Sequence, residues 1–135
     1  MRRTFKTRTF IRWMRKTELL DAALCQAVAE MAQGLIDADL GGGVVKKRVP
    51  LPGRGKSGST RTLVATNKGD RWFFVFGFEK NERENIRTDE LEALKLEAEA
   101  LLGLPVSQLD ASVTSGALQE ICHEDKDTPK KPNPG

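Results

Sequence analysis

Hydrophobic and polar residues repeat with two different periods along the chain, and each period predicts a different kind of element. Apolar residues three and four positions apart predict helices at residues 7–16, 21–35, 89–102 and, from a weaker pattern, 106–122. The second helix has one apolar stripe, formed by Leu24, Val28, Met31 and Leu35, that is expected to face the core. Asp21 and Asp89 are each expected to cap the helix that follows, with Glu92 as the capping-box partner of Asp89.

The period falls to two in the middle of the chain, which predicts strands. These are residues 44–49, 60–66 and 71–78, with a short first strand at 3–6. The segment 71–78 is almost entirely apolar, as in a central strand covered on both faces. The glycines at 41–43 are expected to turn the chain sharply. The pattern therefore predicts a small α+β domain over residues 1–122, with a mostly antiparallel sheet of three to four strands, two N-terminal helices and C-terminal helices.

The remaining residues, 123–135, are polar and rich in proline, and we expect them to form a disordered tail. No apolar run approaches the roughly 20 residues that a membrane helix needs. The basic N-terminus lacks the apolar segment of a secretory signal. These features predict a cytoplasmic protein that does not contact a membrane.

Charge is distributed unevenly along the chain. Residues 1–61 hold 13 of the 22 Lys and Arg but only 5 of the 19 Asp and Glu, so this half carries a net charge of +8 and the rest −5. Six basic residues and no acidic one lie between Lys46 and Arg61. A cationic face of this kind is typical of a protein with a phosphate-rich partner, and a solvated surface without a partner is the alternative.

Cysteine and histidine are too few for most metal sites. Cys25 and Cys122 lie far apart in apolar surroundings, and we expect each to be a buried free thiol, with a disulfide or a reactive thiol as the alternatives. His123, the single histidine, begins the polar tail. A zinc site or a histidine-based catalytic dyad would lack ligands, and we expect neither metal nor cofactor.

The segment LPGRGKSGSTR at residues 51–61 is the most distinctive part of the sequence. It is not a Walker loop, because the first glycine of G-x-x-x-x-G-K-[ST] would fall on Pro50. A cationic loop that binds phosphates without chemistry is one interpretation. The other is a cluster of lysines and arginines on the flanking strands that cleaves RNA. In that reaction the 2′-hydroxyl attacks the adjacent phosphorus, and fixed cations stabilise the anionic transition state.

Two segments carry a family resemblance: KKRVPLPGRGKSGSTRTLVA at residues 46–65 and RWFFVFGFEKNERENI at 71–86. Together they resemble the RelE/HigB-like toxins of bacterial type II toxin–antitoxin systems, within the RelE/ParE superfamily, over residues 3–102. The resemblance implies a RelE-like domain and a metal-independent endoribonuclease that cleaves messenger RNA, usually on the ribosome. It also implies a cognate antitoxin encoded next to the toxin, often with a helix-turn-helix.

The resemblance also suggests which residues act. We expect the catalytic residues to be Lys46, Lys56, Arg61 and Lys80. We expect the RNA-binding residues to be Lys47, Arg48, Arg54 and Arg83. The chain has no tyrosine, which several family members use, so the general acid and base stay open. A lysine whose pKa is lowered by neighbouring cations is one hypothesis for the base.

Alternatives to a nuclease come from the same superfamily and from the charge alone. A ParE-like toxin acts on DNA gyrase by protein contact, and a plain RNA-binding module needs no catalytic group. The aromatic residues do not decide between these functions, because Trp13, Trp72 and the phenylalanines at 74, 76 and 78 are more typical of core packing than of base stacking.

Overall fold

A computed structural model describes residues 1–53 and 58–123 of the chain. Within these ranges the strands are β1 (Arg3–Thr7), β2 (Ala38–Gly41), β3 (Val44–Pro50), β4 (Ser59–Thr66), β5 (Arg71–Glu79) and β6 (Leu118–Ile121). The helices are α1 (Arg8–Met14), α2 (Asp21–Ala32), α3 (Thr88–Leu102) and α4 (Val106–Ser115). None of the helices in this part of the chain is long and apolar enough to cross a bilayer.

The strands form one mixed sheet in the order β2-β3-β4-β5-β1-β6. Neighbouring strands are antiparallel except β1 and β5, which run parallel. The α+β class is confirmed, but the described sheet has six strands rather than the predicted three to four. Strand β2 was missed because it is only four residues long and half of it is exposed.

The C-terminal part of the domain also differs from the prediction. Helix α4 ends at Ser115, and Gly116 adopts a left-handed conformation (φ 86°) that turns the chain back toward the sheet. Residues 118–121 then pair with β1 as strand β6. The prediction of a helix over residues 106–122 was therefore wrong from residue 116 onward, because the apolar pair Leu118 and Ile121 fits either a helix or a short edge strand.

Helices cover both faces of the sheet, and each face has its own core. On one face the side chains of α1 and α2 pack against β3, β4 and β5 through Phe10, Leu24, Met31, Val45, Val64 and Trp72. On the other face α3 and α4 pack through Leu94, Ala98, Leu109, Leu63, Phe73 and Val75. Strand β5 supplies buried side chains to both cores, as predicted for a central strand covered on both faces.

Two helix boundaries lie elsewhere than predicted. Helix α2 is preceded by Leu20, and Asp21 sits in its first turn, where it pairs with Lys6 at 2.7 Å rather than capping. Helix α3 begins after Arg87, whose backbone N–H donates to Glu90 at 2.9 Å, in place of the Asp89–Glu92 pair. Leu35 lies beyond the end of α2 and is 58% exposed, so it is not part of the buried stripe.

Strand β5 contains a bulge that changes which face its last residues use. Leu63 is opposite Phe76 while Val64 is opposite Phe74, so Val75 is an extra residue. Beyond it, Phe76 lies on the α3 side and Gly77 on the α1 side, against Trp13. A Cβ on residue 77 would lie 2.4 Å from the indole ring of Trp13. Glycine is therefore needed at this position for Trp13 to lie flat against the strand.

The two cysteines form a disulfide, which corrects the expectation of two free thiols. Cys25 in α2 and Cys122 just after β6 have Cα atoms 5.4 Å apart, although 97 positions separate them in the sequence. The prediction of apolar surroundings for each cysteine is confirmed, but sequence alone did not show that α2 lies beside the end of β6. The bond ties a helix on one face to the edge strand of the sheet.

We predict that reducing this disulfide destabilises the domain without unfolding its sheet. Opening a loop of this length relaxes the unfolded chain, which typically costs about 2–4 kcal/mol of stability. The measurement is a thermal melt of the oxidised protein with and without a reductant, monitored by circular dichroism. Cys25→Ser should melt like the reduced parent and be insensitive to reductant. Equal melting of the oxidised and reduced parent would contradict the prediction.

Candidate functional site

The pairing of β3 with β4 brings three of the expected site residues together. Arg48 is directly opposite Arg61, and Lys46 is opposite Leu63. Because alternate residues of a strand face the same side, these three cations share the face on which Leu63 packs against α3 and α4. With Asp37 they line a pocket of about 230 Å³.

Asp37 organises the open side of this pocket. Its carboxylate accepts a hydrogen bond from the backbone N–H of Arg48 at 2.6 Å and lies 4.0 Å from the Arg48 guanidinium. The guanidinium of Arg61 donates to the Ser59 hydroxyl at 3.0 Å, a contact that uses one of its five N–H donors. The pocket thus combines two guanidinium groups, one ammonium group and one carboxylate.

Buried threonines hold the two strands that carry these cations. The hydroxyls of Thr60 and Thr62 donate to the carbonyls of Val49 and Lys47 at 3.0 and 2.9 Å. Both threonines are fully buried on the face opposite the pocket. These cross-strand bonds fix the register that places Arg48 beside Arg61.

Lys47 lies on the other face of the sheet, and the structure does not bring it to the pocket. Its ammonium lies 2.9 Å from a Glu30 carboxylate oxygen and donates to the Leu35 carbonyl at 2.8 Å. The hydrogen bond from Lys47 is the main reason why the pKa of Glu30 lies below its usual value. Lys47 therefore joins β3 to α2.

Arg83 lies one strand further along, above the end of β5. Its guanidinium stacks over the rings of Phe76 and Phe78, at 5.7 and 6.0 Å from their centroids. It also pairs with Glu90 at 2.5 Å, and this bond is the largest contribution to the lowered pKa of Glu90. Since Phe78 is directly opposite Arg61, Arg83 and the pocket lie on the same face of the sheet.

The remaining expected residues are not assigned to this pocket. Lys80 is exposed in the turn after β5 and is not among the described residues that line the pocket. Arg54 and Lys56 belong to residues 54–57, which lie outside the described part of the chain. The expectation that these three residues act on RNA stays a prediction.

Asp37 is the residue of this pocket that sequence reasoning missed. It lies just before β2, and its backbone N–H donates to the carbonyl of Lys46 on β3. The signal was the run of glycines at 41–43, all with positive φ, which marks a tight hairpin. Folding the chain back at these glycines places Asp37 beside the basic residues of β3.

We predict that the two adjacent basic residues of β3 differ in their contribution to stability. Lys47→Met removes the ammonium that bonds to Glu30 and to the Leu35 carbonyl, and it should lower the unfolding free energy by about 1–3 kcal/mol. Arg48→Met, on the exposed side, is the matched control and should change it by less than about 0.5 kcal/mol. Urea denaturation of both variants measures this difference. An equal effect of the two substitutions would contradict the opposite orientations of these side chains.

Comparison with protein-family models gives a match described as RelE toxin of the RelE/RelB toxin–antitoxin system, over residues 2–121. The match includes every strand and helix described above, from β1 to β6. None of the curated proteins matches the chain significantly.

Proposed function

The chain belongs to the RelE toxin family, and from this premise we propose that it is an endoribonuclease toxin that cleaves messenger RNA and is held inactive by a cognate antitoxin. The observation that supports the nuclease activity is the convergence of Lys46, Arg48 and Arg61 on one small pocket. Three cations in one pocket suit a phosphate, and a toxin that inhibits gyrase by protein contact has no need of such a cluster. Cleavage on the ribosome, and thus a cytoplasmic location, follows from the same proposal.

The proposed reaction is transesterification at one RNA phosphate. The 2′-oxygen forms a bond to phosphorus and the bond to the 5′-oxygen breaks, which leaves a 2′,3′-cyclic phosphate and a 5′-hydroxyl. Arg61 holds two non-bridging oxygens through its planar fork, and Arg48 adds a second positive charge. Both groups stabilise the extra negative charge of the transition state.

Proton transfer in this reaction needs an acceptor and a donor. Asp37 supplies the carboxylate of the pocket. We propose that this carboxylate accepts the proton of the attacking 2′-hydroxyl. Lys46 lines the same pocket, and its ammonium supplies the proton that the leaving 5′-oxygen takes up. These assignments replace the lysine base considered from the sequence.

We predict that Arg61→Ala abolishes growth inhibition while the domain stays folded. Loss of one preorganised donor to the transition state costs on the order of 3 kcal/mol, about a hundredfold in rate. The measurement is the growth of bacteria after induction, together with separate assays of transcript cleavage and DNA supercoiling. Arg15→Ala, at an exposed arginine just after α1 and outside the pocket, is the control, and a thermal melt checks folding. Full toxicity of Arg61→Ala would place the active site elsewhere.

We further predict that Asp37→Asn slows cleavage by about a hundredfold or more, the usual contribution of a general base. Asparagine retains an oxygen that can accept the Arg48 N–H, so RNA binding should persist. Asp39→Asn is the matched control, since Asp39 is exposed two residues away and pairs with Lys68 instead. Single-turnover cleavage of a radiolabelled messenger on ribosomes measures both variants. Wild-type rates for Asp37→Asn would exclude Asp37 as the base.

A further inference from the structure

Among the described residues, no strand pairs with the second half of β5 on the side away from β4. Strand β1 pairs with β5 only from Arg71 to Phe74, because β1 ends at Thr7 and the chain continues as α1. Helix α1 then runs beside the rest of β5 and leaves a cavity of about 330 Å³. The cavity is lined by Thr9 and Trp13 of α1, by Phe76, Gly77 and Phe78 of β5, and by Glu82 and Arg83.

The backbone of β5 offers a hydrogen-bonding pair at this edge. The N–H of Glu79 donates to the Glu82 carboxylate at 2.8 Å, so it points away from β4. Because backbone groups alternate in direction along an antiparallel strand, the N–H and C=O of Gly77 point to the same side as those of Glu79. Gly77 lines the cavity, and its backbone therefore presents one donor and one acceptor there.

Flat side chains form the walls of the cavity. The Trp13 indole lies against the Cα of Gly77, and its ring centroid is 5.3 Å from that of Phe10. These two contacts fix its orientation. The guanidinium of Arg83, held by Glu90 over the rings of Phe76 and Phe78, forms another wall. Aromatic rings and guanidinium planes are the surfaces on which unpaired bases stack, a contact worth about 1–3 kcal/mol per base.

The cavity is also close to the phosphate pocket. Phe78, which lines the cavity, is directly opposite Arg61, and neighbouring strands lie about 4.8 Å apart. Arg48, Arg61 and Phe78 thus form one row across β3, β4 and β5. A nucleotide whose phosphate lies against Arg61 has its base within reach of the β5 edge.

We propose that this cavity binds one unpaired base of single-stranded RNA and sets the base preference of the toxin. The base stacks against the flat walls, and the N–H and C=O of Gly77 read its hydrogen-bonding edge. The inference rests on the proposed nuclease function, because it needs the RNA backbone to lie along Arg48 and Arg61. It assigns the phosphates to the β3–β4 cations and the base to the cleft between α1 and β5.

Thr9 allows a test that spares the core, since it is an exposed helix residue that lines the cavity. Thr9→Phe should fill the cavity, whereas Thr114→Phe changes an exposed threonine of α4 that does not line it and is the matched control. The probes are four 2′-O-methyl tetranucleotides of equal length and charge that differ in one base. Their 2′-hydroxyls are blocked, so binding is measured without cleavage, by calorimetry at two salt concentrations.

The wild type and Thr114→Phe should bind the four probes with affinities that differ by about tenfold between the best and worst base. Thr9→Phe should reduce that range to less than twofold and keep the same dependence on salt, since its phosphate contacts are intact. Arg61→Ala should instead weaken all four probes equally and lower the salt dependence.

Two results separate failure of the inference from failure of the proposed function. If Thr9→Phe keeps the base preference of the wild type, or if the wild type binds all four probes equally, the base site is wrong and the phosphate pocket stands. If the wild type neither binds the probes nor cleaves transcripts, both proposals are wrong.

Discussion

Arg48 and Arg61 face each other across β3 and β4, and an antiparallel sheet normally disfavours two like charges in that arrangement. The surrounding contacts make it tolerable. Asp37, just before β2, offsets the charge of Arg48. The buried hydroxyls of Thr60 and Thr62 hold β3 and β4 in register from the other face. A slip of β3 by one residue would turn Arg48 into the core beneath α2 and away from Arg61. The hydrogen-bonded register of β3 and β4 is therefore the constraint on which the candidate site depends.

Successive side chains of β3 point to opposite faces of the sheet, so neighbouring basic residues make different contacts. Lys46 and Arg48 lie in the pocket, while Lys47 between them fastens β3 to α2 through Glu30. The bulge at Val75 acts in a similar way on β5. It sets Phe76 under Arg83 and frees Gly77 to receive Trp13. Strand β5 therefore carries the stack of Arg83 on the phenylalanine rings on one face and packs against α1 on the other.

Much of this arrangement was accessible from sequence because it depends on local patterns. The strands at β1, β3, β4 and β5 follow from period and composition, and the clustering of Lys46, Arg48 and Arg61 follows from their even spacing on paired strands. Other features depend on contacts between distant residues. The Cys25–Cys122 bond, the pairing of β6 with β1 and the match of Gly77 to Trp13 each join segments that sequence periodicity treats separately. The position of Asp37 could have been predicted in part, because recognising the β2–β3 hairpin would have placed this residue beside Lys46 and Arg48.

The position of β1 has a consequence for how the domain is made. This strand precedes every other described element in the chain, yet it lies between β5 and β6, with Arg3 beside Arg71 and Thr4 beside Ile121. Pairings between such distant segments form late and slowly. Helix α1 follows β1 directly in the chain, and the edge of β1 that pairs with β6 has no strand to pair with until residues 118–121 have been made. The domain thus acquires its complete fold only after its own message has been read beyond the codons of β6.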